Sequence, residues 1–126
     1  MANRERKIPG PDHPITIETT GQRVLARVGT RVVADTARAL TLREAGYPPV
    51  HYIPLEDVDQ TILTPTETQT YCPYKGDASY YSIDLDGGSS LTDAVWTYRE
   101  PYEAVAPIAG HVAFYTDRVT VEATSA

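Results

Sequence analysis

Arg23-Val24-Leu25-Ala26-Arg27-Val28, then Gly29-Thr30, then Arg31-Val32-Val33-Ala34-Asp35, is the stretch on which the fold is read. Two runs rich in β-branched and apolar residues flank a tight connection that carries glycine, the local pattern of a hairpin. Just upstream, Ile15-Thr16-Ile17-Glu18-Thr19 alternates apolar and polar residues with period two, as a strand with one buried face does. Gly21-Gln22 reads as the turn between them. The three runs predict a meander of short antiparallel strands.

Downstream, Thr36 to Ala45 is the best helical candidate. Ala37, Arg38, Ala39, Leu40, Leu42, Arg43, Glu44 and Ala45 all favour helix. Asp35 or Thr36 would cap its start, Gly46 its end, and Pro48-Pro49 would stop it. Short strand signals then recur. Val50-His51-Tyr52-Ile53 ends at Pro54, and Leu55 to Val58 reads as one helical turn. Thr61 to Thr64, Ala78 to Leu85 and Asp93 to Arg99 follow as strands, with Asp86-Gly87-Gly88 as a hairpin turn. Pro101 to Pro107 reads as a loop. His111 to Tyr115 and Arg118 to Val121 are predicted to form a last hairpin around Thr116-Asp117. Many short strands at close spacing, with one short helix at most, predict an all-β sandwich or open barrel. The expected organisation is an N-terminal tail over 1–14, a single domain over 15–122 and a C-terminal tail over 123–126.

The 126 residues make one domain's worth of chain. Eleven basic and 17 acidic side chains leave a formal net charge of −6, which argues against a nucleic-acid partner gripped by bulk charge. A single cysteine excludes an internal disulfide framework and any Cys-rich zinc site. The three histidines are widely separated, so no metal is expected and no cofactor motif stands out. No apolar run approaches the roughly 18–20 residues that span a bilayer, and the charged N-terminus lacks a signal peptide's apolar region. A cytoplasmic location without a membrane partner is expected. A homodimer is compatible with the composition.

The segment Tyr71 to Tyr81 holds most of the chemical promise. Cys72 lies three residues before Lys75, and a nearby ammonium stabilises the thiolate that a nucleophilic or redox cysteine uses. Against that stands the reading of Cys72 as a small buried hydrophobe. Lys75-Gly76 does not match a phosphate loop, which needs Gly-Lys after a glycine-rich run. Nine tyrosines and one tryptophan are the other resource. Large rings with a polar tip suit both wet core edges and binding pockets. Tyr80 and Tyr81 must point to opposite faces of a regular strand, whereas Trp96 and Tyr98 share one. These residues support two readings of different class. One is a pocket for a small, flat or polar ligand formed by Tyr52, Tyr74, Tyr81, Trp96, Tyr98 and His111. The other is an enzyme using Cys72 with Lys75. A protein-interaction module built on a sheet edge is the third.

Five blocks together carry a family resemblance: Arg38-Ala39-Leu40, Tyr47 to Pro54, Thr70 to Tyr81, Ala94 to Tyr98 and Ile108 to Tyr115. In order and wording they resemble the domain-of-unknown-function family 427. The resemblance implies a β-tent type of fold, two packed antiparallel sheets, similar to methionine-R-sulfoxide reductases and the ligand-binding domain of cereblon. Those relatives usually carry a four-cysteine zinc site, which this chain cannot build. The family also carries a nucleotidyltransferase label, but no Gly-Ser followed by paired aspartates is found to hold magnesium.

Overall fold

The computed structural model describes residues 5–85 and 88–124. Strands dominate: β1 (Ile15–Thr19), β2 (Arg23–Val28), β3 (Arg31–Thr36), β4 (Leu40–Glu44), β5 (Val50–Pro54), β6 (Leu63–Cys72), β7 (Gly76–Asp84), β8 (Ser90–Thr97), β9 (His111–Phe114) and β10 (Thr120–Thr124). They form a seven-stranded sheet, ordered β1-β4-β5-β9-β8-β7-β6, and a three-stranded sheet, ordered β10-β2-β3. Every strand pairing described is antiparallel. Among the described residues, helical structure includes short 3-10 turns at Leu55–Asp57, Gln60–Ile62 and Glu103–Ile108. The fold is therefore mainly β, as the spacing of short strands predicts. No helix among the described residues is long and apolar enough to cross a membrane.

Three local expectations are corrected. The segment 36–45 is not a helix. Thr36 ends β3, its Oγ1 accepting from the Arg38 backbone N–H at 2.9 Å and donating to Asp57 at 2.7 Å. The chain then re-enters as β4, paired to both β1 and β5. Helix propensity is a preference of a few tenths of a kcal/mol per residue, and two strand partners outweigh it. The first three runs are also not one meander. β2 pairs with β3, but β1 crosses to the larger sheet and pairs with β4. Ile15 and Ile17 pack there on a different core from Val24 and Val33. Finally, β9 and β10 are not a hairpin: β9 lies between β5 and β8, and β10 pairs with β2. The β7–β8 hairpin forms as expected, although Asp86 and Gly87 of its turn lie outside the described residues.

Period-two alternation gives the larger sheet two buried faces. Ile53, Ile83, Val95, Val112 and Phe114 point towards the three-stranded sheet, where Val24, Ala26, Val33 and Ala34 meet them. Their neighbours Tyr52, Tyr80, Trp96 and Ala113 point the other way. That second core is closed by Val105 and Ile108 from the 3-10 segment and by Leu42 from β4. It is small and aromatic, and its open end forms the site described next.

Residues 5–14, expected as a tail before the fold, lie along this second face. The Lys7 N–H donates to the Pro73 carbonyl at 2.9 Å, and the Tyr71 hydroxyl donates to the Glu5 carbonyl at 2.8 Å. The His13 ring stacks on Tyr74 with centroids 4.0 Å apart. At the other end, Ala123 and Thr124 belong to β10.

Candidate functional site

A cleft of about 220 Å³ opens at the end of the aromatic core. β4 supplies Leu42 and Glu44, β5 supplies Val50 and Tyr52, and β7 supplies Tyr80. β8 and the residue just past its end supply Trp96 and Tyr98, and Tyr115 follows β9. Tyr47 and Pro48, on the β4–β5 connection, form the rim. A wider groove of about 540 Å³ continues from it past Glu44, Trp96 and Tyr115 to His51, Phe114, Thr116 and Val121.

Lys75 enters this cleft from the turn between β6 and β7. Gly76 makes that turn possible. Its φ of +106° is a conformation that residues with a Cβ rarely adopt, and the Tyr102 N–H donates to the Lys75 carbonyl at 3.0 Å. The Lys75 ammonium, on a residue only 8% exposed, forms an ion pair with Glu44 Oε1. It also lies 3.8 Å from Cys72 Sγ. The second Glu44 oxygen accepts from His13 Nε2 at 2.7 Å. Burial alone would raise the Glu44 carboxyl, but the hydrogen bonds from Lys75 and His13 outweigh it and hold the group below its ordinary value.

The aromatic walls are linked by their polar tips. The Trp96 indole N–H donates to the Tyr52 hydroxyl at 3.2 Å, with the rings edge to face. Trp96 also packs against Tyr115, with centroids 4.6 Å apart. Tyr80 shares hydrogen bonds with Thr70 at 2.8 Å and Tyr115 at 3.4 Å. The Tyr98 hydroxyl has no protein partner among the described residues, although Tyr98 is 8% exposed and lines the cleft. Burial pushes the Tyr52 and Tyr98 hydroxyls well above their ordinary value, and that of Tyr115 up to about 12. All three therefore stay protonated at neutral pH.

Of the residues singled out from sequence, Tyr52, Lys75, Trp96 and Tyr98 converge on this cleft, and Cys72 packs beside it against the same core. Tyr74, Tyr81 and His111 do not. Tyr74 faces His13 and the N-terminal segment. Tyr81 points through the sheet to the other core, as its alternation with Tyr80 requires. His111 turns its Nδ1 to the Ala109 carbonyl at 2.9 Å. Glu44, His13, Tyr80 and Tyr115 belong to the arrangement and were not singled out. Glu44 lay within the predicted helix and His13 within the predicted tail. Tyr80 alone carried a readable signal, since it occupies the face opposite Tyr81.

Chemically, the cleft combines one charge-balanced ion pair, several neutral hydroxyls and a tryptophan face. A four-cysteine zinc site does not fit a chain with a single cysteine, and among the described residues no three His, Cys, Asp or Glu side chains cluster to hold a metal. No curated protein matches the chain. A family model described as a domain of unknown function, DUF427, matches residues 16–125, which includes every residue of the cleft.

Proposed function

The chain belongs to the DUF427 family, and on that footing we propose that its aromatic cleft binds a small, flat or polar molecule. The observation that carries this reading is the Tyr98 hydroxyl. That hydroxyl faces the open cleft without a protein partner among the described residues, so a ligand acceptor there would take the place of solvent. The walls suit a flat ring, because Trp96, Tyr52, Tyr80 and Tyr115 offer both faces and edges. Concave apolar walls with a few converging polar groups are the usual make-up of a small-molecule site.

A thermal-shift screen against small planar heterocycles tests it. Binding to the native state alone raises Tm in a saturable way. The expected result is a set of such compounds whose effect disappears in Val50→Trp, which fills the cleft. An unresponsive protein, or shifts that Val50→Trp leaves intact, would overturn the reading.

A second reading is catalysis by Cys72, favoured by the 3.8 Å approach of Lys75 Nζ to its sulfur. The same ammonium is paired with Glu44, however, which weakens its pull on the thiol. Ligand binding is the stronger reading for that reason.

A further inference from the structure

Charge in the cleft is already balanced, since the Lys75 ammonium faces the Glu44 carboxylate. A charged ligand would bring an uncompensated charge among buried tyrosines and tryptophan, and buried unpaired charge is costly. A neutral ligand avoids this.

Hydrogen bonding is not balanced. The Tyr52 oxygen accepts from Trp96, so its own O–H proton has no acceptor among the described residues. The Tyr98 hydroxyl makes no hydrogen bond among them either and faces the open cleft rather than being sealed in protein. The two residues are 2% and 8% exposed, and both line the cleft. Tyr80 and Tyr115, by contrast, are occupied with each other and with Thr70. On the acceptor side, each Glu44 oxygen takes one hydrogen bond, from Lys75 and from His13. A carboxylate has about four acceptor sites, so capacity remains. The unspent groups are thus two hydroxyl donors and one carboxylate acceptor, in a cleft of about 220 Å³ that suits a single ring.

Resting on the ligand-binding reading above, we propose that the ligand is an uncharged planar ring carrying a carboxamide. Its carbonyl oxygen accepts from Tyr52 and Tyr98, its amide N–H donates to Glu44, and its ring lies against Trp96. Neither a carboxylate nor an ammonium of the same shape satisfies all three groups. The carboxylate has no proton for Glu44, and the ammonium has no acceptor for the tyrosines.

Trp96 is the chain's sole tryptophan, so its fluorescence reports on the cleft directly. Four probes of one ring size, benzamide, benzoate, benzylamine and toluene, are titrated against the full chain and against Tyr98→Phe and Tyr52→Phe. Benzamide is expected to bind about tenfold more tightly than benzoate or benzylamine, the scale of one well-made buried hydrogen bond. Tyr98→Phe should weaken benzamide by about the same factor while leaving toluene unchanged. Benzoate or benzylamine binding as well as benzamide overturns the carboxamide assignment and leaves ligand binding standing. So does an unchanged benzamide affinity in both phenylalanine variants. If none of the four, toluene included, perturbs Trp96, the ligand-binding reading itself falls.

Discussion

The Trp96 indole N–H donates to the Tyr52 hydroxyl across 3.2 Å, tying β8 to β5 across the intervening β9. Tyr52→Phe removes the acceptor and leaves a partly buried N–H unpaired. The variant should lose about 1–2 kcal/mol of stability, the cost of orphaning one such donor. Urea denaturation measures it. Stability unchanged within error would show that solvent already serves the indole.

The Lys75–Glu44 pair is the second determinant of the cleft. Removing one member of a buried ion pair strands the other charge, which typically costs about 3–5 kcal/mol. Lys75→Met should fall near the lower end of that range, because the pair lines an open cleft. The double variant Lys75→Met/Glu44→Leu should recover part of the loss. A double variant as unstable as the sum of the two singles would mean that the pair does not act as a unit.

Glu44 also sets a pH dependence. Its carboxyl is held below its ordinary 4.5 in the folded state. The resulting stabilisation is fully present above the unfolded value and is lost as pH falls through the lower, folded value. The stability difference between the wild type and Glu44→Gln should therefore shrink on acidification below 4.5. A difference that grows on acidification would contradict the sign.

Gly76 fixes where Lys75 points. Its φ of +106° means that Gly76→Ala strains the backbone wherever the new methyl finds room. The nearest atom to an added Cβ would be the Glu100 carbonyl oxygen at 3.5 Å, an ordinary contact, so the loss should come from conformation alone. About 1–3 kcal/mol is expected by thermal or chemical denaturation. An unchanged stability would show that the turn tolerates another conformation.

Cys72 discriminates the two functional readings. With Lys75 engaged by Glu44, alkylation of Cys72 by iodoacetamide at neutral pH should be slow in the wild type and several-fold faster in Glu44→Gln, where the ammonium is released towards the sulfur. Fast alkylation in the wild type would favour the catalytic reading.

Much of this arrangement is legible in the sequence because it depends on neighbours along one strand. The split of Tyr80 and Tyr81 to two cores, and the shared face of Trp96 and Tyr98, follow from period-two alternation. The approach of Lys75 to Cys72 follows from their three-residue spacing across a turn. Glu44 escapes that logic. Ala37 to Ala45 carries helix-favouring residues, and only pairing with both β1 and β5 turns the segment into a strand that aims Glu44 at Lys75. His13 escapes it too, since its contacts with Tyr74 and Glu44 span the chain. The partners of β1 and β10 were hidden for the same reason: a strand's periodicity states which face is buried, not which strand lies alongside.

The central claim is that the Tyr52–Trp96–Tyr98 cleft is where a ligand sits. The most direct measurement is a ¹H–¹⁵N spectrum of the chain with a saturating planar compound taken from the thermal-shift screen. The account predicts that the Trp96 indole N–H moves most, together with the Lys75 and Gly76 amides. An unmoved Trp96 N–H, with the largest changes at the polar groove of Arg23, Asp35 and Arg38, would contradict it.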